Sequence, residues 1–341
     1  MKPLVSILIP AFNAERWIGE TIRSALAQEW PRVEIMIVDD GSRDQTLAVA
    51  KTFESKHVRV ATQPNAGAAA ARNTALSLSQ GDWIQWLDAD DLLAPDKIQR
   101  HMEAFEKQPN PRMLLSSAWG AFMSRPDAAS FRPTALWQDL APVEWLTLQL
   151  ERNLHMQTAT WLVSRQLTEA AGPWNPRLAA AACDDGEYFS RVILASDGIR
   201  FVPSSKVLYR VVGTDRLSYV GRSERKMEAL LFGLELYFSN LRARDDSSRV
   251  RAACVRYLQT HLNDMCPESD AVMERARTLA EACGGQLNEP TLPRKYAPVQ
   301  ALLGRAGAKR FQVRYNEIKS SVLRSWDETL CRLGLFWRSQ T

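Results

Sequence analysis

The chain has 341 residues, 45% of them apolar and 24% charged, with no low-complexity tract, so it can bury a substantial core. Its 43 Lys and Arg against 39 Asp and Glu leave a net charge of only +4, which excludes a nucleic-acid binder built on overall charge attraction. Five scattered cysteines, never in a CxxC pair, give neither a disulfide framework nor a zinc site.

Leu4 to Ile9 is a short β-branched run closed by Pro10, the pattern of a strand buried on both faces of a parallel sheet. Ala14 to Gln28 repeats its apolar residues at helical spacing, and Val33 to Val38 is a second strand running into Asp39-Asp40-Gly41-Ser42. Leu47–Ser55, His57–Thr62 and Ala66–Ser79 read as helix, strand and helix. Trp83–Leu87 is a fourth strand, ending in Asp88-Ala89-Asp90-Asp91. This alternation predicts an α/β fold, a Rossmann-like and mainly parallel sheet flanked by helices. Ligands of such sheets bind outside the carboxyl ends of the strands, where both acidic clusters fall.

Pro95–Lys107 reads as a helix and Met113–Met123 as a strand, whereas 125–152 has no clear period. Thr158–Val163 and Arg200–Tyr209 read as strands around a helix over Asp184–Ala195. Beyond Arg222 only helices are predicted, which divides the chain into residues 1–220 and a helical C-terminal region, 221–341.

Hard oxygen ligands at the end of a rigid strand suit Mg²⁺ or Mn²⁺, with substrate phosphates completing the shell. Asp91 also fits a helix N-cap, and Asp39-Asp40-Gly41-Ser42 a tight turn. Two dense acidic turns facing one cleft would repel each other without a cation.

In that order and spacing, Val5-Ser6-Ile7-Leu8-Ile9-Pro10-Ala11-Phe12-Asn13, Ile37-Val38-Asp39-Asp40-Gly41-Ser42, Asn65-Ala66-Gly67 with Ala71-Arg72-Asn73, and Gly81-Asp82-Trp83-Ile84 leading to Leu87-Asp88-Ala89-Asp90-Asp91 form a specific set. The chain resembles the inverting family 2 glycosyltransferases of the GT-A fold from about residue 4 to 218. The resemblance implies transfer of a sugar from a nucleoside-diphosphate sugar, by default a UDP-sugar, to an acceptor hydroxyl. It assigns Pro10, Phe12 and Asn13 to the nucleotide loop, Asp39 or Asp40 to the base, and Arg72 to the base and diphosphate. Asp88 falls near the ribose, and Asp90 with Asp91 at the Mn²⁺ or Mg²⁺. Asp185, six residues before Arg191, takes the place of the catalytic base, after a Gly172-Pro173-Trp174-Asn175 turn. Arg210 and the loop 213–218 resemble the segment that closes over the diphosphate, with Val212 where a His is common.

A catalytically degenerate scaffold would show broken acidic positions, and here they are intact. A nucleotidyltransferase would carry a Gly-rich phosphate loop, which Pro10–Ala14 is not. The expected partners are a nucleotide-sugar donor and a carbohydrate or lipid-linked acceptor. The N-terminal apolar run is too short for a signal-peptide core and no stretch reaches 18 apolar residues, so a cytoplasmic protein is expected. From Arg305 to Arg338 eight basic residues face three acids. Val313, Ile318, Val322, Leu323, Trp326, Leu330, Leu333 and Trp337 could line one helix face among them. Such a helix permits peripheral docking at the inner face of a membrane, or it packs on its own domain.

Overall fold

The computed structural model describes residues 2–178, 183–211, 220, 223–265 and 269–332. Its first half alternates strand and helix: β1 (Val5–Ala11), α1 (Ile18–Leu26), β2 (Val33–Asp39), α2 (Thr46–Lys51), β3 (Val58–Thr62), α3 (Ala68–Leu78) and β4 (Trp83–Trp86). Then come β5 (Leu92–Leu93), α4 (Lys97–Lys107), β6 (Met113–Phe122), β7 (Ser130–Phe131), α5 (Pro142–Arg152), β8 (Leu162–Ser164), α6 (Arg165–Ala171), α7 (Asp184–Ala195) and β9 (Gly198–Arg210). The remaining helices are α8 (Glu224–Arg242), α9 (Ser248–Met265), α10 (Asp270–Ala282) and α11 (Ala297–Arg332), the last broken at Gly304 with φ +69°.

One sheet runs in the order β3-β2-β1-β4-β8-β6-β9-β5, with β7 on β6. The strands β3, β2, β1 and β4 are all parallel, and β1 is buried along nearly its whole length because it lies between two of them. Beyond β4 the sheet is mixed: β8 is antiparallel to β4 and β6, while the long β6–β9 pair is parallel. A register shift between Ser117 and Ala118 sets Pro203 to Ser205 outside the β9 ladder, and Pro203 has no N–H to donate there.

Two elements have little signature in the sequence. Helix α6 has only seven residues, too few for a period, and forms because Ser164 Oγ caps it by accepting the Leu167 N–H at 3.1 Å. Helix α5 starts on Pro142 and ends at Asn153 in the left-handed region (φ +49°).

Helices α8, α9 and α10 bury Leu230, Leu234, Tyr237, Leu258, Leu262 and Val272 in the same cluster as Leu8, Trp86 and Tyr188, so sheet and C-terminal helices share one core. A second cluster, including Ile7, Ile9, Ile18 and Ile37, lies under α1. The tightest approach is at Gly233 of α8, where a Cβ would fall 2.2 Å from Cys183 Sγ at the entrance to α7. Gly233→Val should therefore cost about 1–3 kcal/mol, because overpacking outweighs the small gain in helix propensity. Urea unfolding should also show that Cys183→Ala recovers much of that loss in the double variant, because the two sites touch.

Candidate active site

The carboxyl ends of β1, β2 and β4 meet at one edge, since Ala11 pairs with Asp39 and Leu8 with Trp86. Pro10 lies near the end of β1, opposite Val38, and the loop that follows carries the exposed Phe12 and Asn13 (φ +49°). Asn13 fastens that loop to the next one: its N–H donates to Ser42 Oγ at 3.0 Å and its Oδ1 accepts the Arg43 N–H at 2.9 Å.

Asp39 and Asp40 are both buried, yet their carboxylates differ. Asp40 accepts Gln63 Nε2 and the Ala66 N–H on Oδ1 (2.7 and 2.9 Å), and the Gly67 N–H and Asn65 Nδ2 on Oδ2 (2.8 and 3.2 Å). It is fully used in holding the Asn65-Ala66-Gly67 turn and the start of α3. Asp39 accepts the Ser42 N–H at 3.2 Å and the Thr62 hydroxyl at 3.4 Å, both on Oδ2. Its Oδ1 is buried with no hydrogen-bond partner among the described residues. Such an orphan acceptor at a strand end is the place for an outside N–H.

After β4, the turn Asp88 to Asp91 is closed by the Asp91 N–H on Asp88 O at 3.1 Å. Asp91, 1% exposed, points inward and accepts the Arg210 N–H at 2.8 Å. Burial and the neighbouring Asp90 and Asp88 push its carboxyl well above the usual carboxylate range. Asp91 thus braces the turn to β9, whereas the resemblance set it beside Asp90 as a second metal ligand. Asp88 and Asp90 are half-buried at the turn.

Arg210 is also turned inward, instead of supplying charge to the cleft. Its Nε donates to Asp90 O at 2.8 Å, its Nη2 to Glu20 Oε2 at 2.5 Å, and its guanidinium lies 4.5 Å from the ring centroids of Trp17 and Phe122. The loop 213–218 and Val212 lie outside the described residues.

Arg72 of α3 joins the two halves of the site. Nη2 meets Asp88 Oδ1 at 2.9 Å, Nη1 meets Asp184 Oδ2 at 2.7 Å, and the guanidinium lies 4.2 Å from the centroid of the Trp174 ring. The adjacent Asn73 exchanges two hydrogen bonds with the Trp174 backbone, at 2.8 and 2.9 Å. Trp174 stacks on Tyr188 with centroids 3.9 Å apart, and Arg191 donates to Pro173 O and pairs with Glu187. The Gly172–Asn175 turn is thereby clamped between α3 and α7.

At the start of α7, Asp184 is buried and its carboxyl is pushed up to about 6, by burial first, against the opposing pull of Arg72. Asp185 is half-buried; among the described residues the Gly186 N–H, at 2.7 Å from Oδ1, is what bonds its carboxylate. Burial raises its carboxyl too, with the Gly186 N–H and Arg72 opposing. Asp185 lines a cavity of about 510 Å³ with Asn153, Tyr209, His261, Lys309 and Asn316. Nothing in the sequence marks His261 or Lys309 as neighbours of Asp185, because they come from α9 and α11 across the fold.

Among the described residues, no group of three or more His, Cys, Asp or Glu is gathered to hold a metal. Asp88 and Asp90 fit Mg²⁺ or Mn²⁺ in the other common manner, one or two carboxylates completed by phosphate oxygens.

Residues 6–117 match the model of glycosyl transferase family 2. An uncharacterized glycosyltransferase of Haemophilus influenzae is 40% identical over 103 residues, 29% of this chain and 41% of that protein. The putative teichuronic acid biosynthesis glycosyltransferase TuaG of Bacillus subtilis is 40% identical over 105 residues, 30% of this chain and 42% of that one. Chondroitin synthase of Escherichia coli is 42% identical over 107 residues, 31% of this chain and 16% of that protein. The chain thus spans about two-fifths or less of the length of these curated relatives. The structure of S. aureus TarS 1-349 in complex with UDP-GlcNAc superposes over 98% of this chain and 93% of that one, with a TM-score of 0.66 at 16% identity. The fold is GT-A, and residues 6–117 are similar to glycosyl transferase family 2.

Arg72→Met should destabilise the protein by about 3–5 kcal/mol, because it leaves Asp184 buried without its cation. The loss, followed by denaturant titration, should be larger at pH 8 than at pH 5, where protonation neutralises Asp184. The double variant Arg72→Met/Asp184→Asn should regain much of it.

Proposed function

We propose that this chain transfers a sugar from a UDP-sugar to an acceptor hydroxyl with inversion at the anomeric carbon. One observation supports the reading: in three acidic clusters Asp40, Asp91 and Asp184 are held by the framework, while Asp39 keeps an orphan oxygen, Asp88 and Asp90 lie half-buried at the end of β4 and Asp185 lines a cavity. Asp39, with its orphan Oδ1, accepts an N–H from the base, beside the exposed ring of Phe12. Asp88 and Asp90 face the ribose and diphosphate, and they would hold Mg²⁺ or Mn²⁺ together with the phosphates. When bound, that cation supplies charge stabilisation for the departing diphosphate. Arg72 positions Asp88, and Arg210 braces the Asp90–Asp91 turn. The relatives' names support glycosyl transfer, and the TarS complexes with UDP-GlcNAc and UDP support a uridine donor.

Asp185 is the general base. It lies at the N-terminal end of α7, where Arg72 has already taken up the charge of Asp184, so Asp185 is the member of the pair left to face the cavity. An acceptor hydroxyl entering that cavity gives its proton to the Asp185 carboxylate as its oxygen forms the new glycosidic bond. The bond from the anomeric carbon to the diphosphate breaks in the same displacement. The raised carboxyl pKa makes Asp185 a stronger base than an exposed aspartate.

Asp185→Asn should lower kcat by about 10²–10⁴-fold and leave UDP binding intact, measured as the UDP-induced rise in unfolding midpoint with Mn²⁺ present. Asp39→Asn should weaken that midpoint shift. Because the base acts deprotonated, kcat/KM should rise with pH through a limb above the ordinary aspartate range, and Asp185→Asn should abolish the limb. Unchanged turnover in Asp185→Asn would remove it from the reaction.

A further inference from the structure

From Arg305 to Arg332 helix α11 has two distinct sides. Lys309, Gln312, Val313 and Asn316 line the cavity that holds Asp185, and Asp327 Oδ2 accepts the Ser124 N–H at 2.8 Å. Lys309 Nζ also donates to Asp264 O, at the end of α9. The helix is therefore anchored to the body along one side. Phe311, Tyr315, Ile318, Val322 and Trp326 recur at intervals of four, three, four and four, which puts them on a single stripe. They are 46%, 46%, 57%, 61% and 65% exposed, a continuous apolar face uncovered by the described residues. At about 100° per residue, Arg314 flanks it on one side and Lys319 on the other. The acids Glu317 and Asp327 lie off the stripe, Glu317 3.8 Å from Arg314. Val313, expected on the apolar face, is on the cavity side instead, and Leu333 and Trp337 lie outside the described residues.

We propose that α11 docks on an anionic lipid surface, laying the Phe311–Trp326 stripe among the acyl chains and its flanking cations against the headgroups. An apolar stripe edged by cations matches such a surface on both counts. A second copy of the chain matches less well, since a two-fold pairing of the stripes would bring Arg314 and Lys319 toward their own images. Among the described residues no helix is long and apolar enough to cross a membrane, so the contact is parallel to the surface. It brings the cavity to within a helix diameter, about 10 Å, of the headgroups. The docking stands on the exposed stripe; only its meaning for catalysis rests on the proposed role of Asp185.

The test is co-sedimentation of the full chain with phosphatidylcholine vesicles, with and without phosphatidylglycerol. The wild type should bind the anionic vesicles at least about tenfold more tightly than the neutral ones. Ile318→Asp/Val322→Asp should lose that binding by a similar factor, while its unfolding midpoint and UDP-induced shift stay unchanged, since both residues are exposed and neither lines the cavity. No sedimentation of the wild type, or equal binding by the variant, overturns the proposal. So does a wild type that is dimeric in sedimentation velocity, monomeric as the variant and indifferent to vesicles, since the stripe is then a self-association face. Vesicle binding that persists when UDP causes no shift would sink the donor reading and leave the docking standing.

Discussion

The structure turns on Arg72. Residues 88 and 184 are far apart in sequence, and each brings a carboxylate into a site that already holds several others. Without a cation between them, bringing β4 and α7 together at the same edge would set two carboxylates against each other. Arg72 bonds both, and its planar fork suits two carboxylates approaching from different sides. Its Nε has no partner among the described residues, so its own desolvation is offset by the two ion pairs and by Trp174 beneath it. Trp174 is held in turn by Asn73, next to Arg72 on α3, so one helical turn fixes both the charge and the surface on which it stacks.

A second regularity comes from like-charge repulsion. Three places carry adjacent acids, and in each the fold separates their duties. Asp40 is saturated by N–H donors and Asp39 keeps an orphan oxygen. Asp91 is buried against β9 while Asp88 and Asp90 stay at the turn. Asp184 is spent on Arg72 and Asp185 lines the cavity. Two equivalent carboxylates on one small cleft would both have raised pKa values and neither a defined role. Assigning one of each pair to the framework leaves the other with a single charge state to tune.

This division also marks how much of the site was legible in the sequence. The four parallel strands read clearly because each is a short apolar run ending in a turn signal, and Asp184–Ala195 reads as a helix through the acids of its first turn. Asp39 and Asp40 could not be told apart, because both occupy one turn and their difference lies in which N–H groups of residues 42 to 67 reach them. Arg210 was misplaced for a similar reason: Glu20, Trp17 and Phe122, which hold it inward, are remote in sequence. Asp91 went the same way, since its orientation depends on the short pairing of β5 with β9. The outer face of α11 was half-read, because that helix is apolar on two sides and only packing shows which side the cavity takes.

The family match stops at residue 117, yet the environment of Asp185 is built largely by residues beyond that point. Tyr237 of α8 and Tyr257 of α9 line the same cavity, and Gly233 lets α8 close on Cys183 just before the acidic pair. Those helices exclude water from one side of the carboxylate, and it is that burial, more than any neighbouring charge, that raises it. The helical region is therefore not an appendage to a self-sufficient catalytic domain. It supplies the low-dielectric wall that raises the Asp185 carboxyl, and the α11 side of the cavity that Asp185 lines. A chain with the same first four strands could differ in both without altering a residue at the carboxyl edge of β1, β2 and β4.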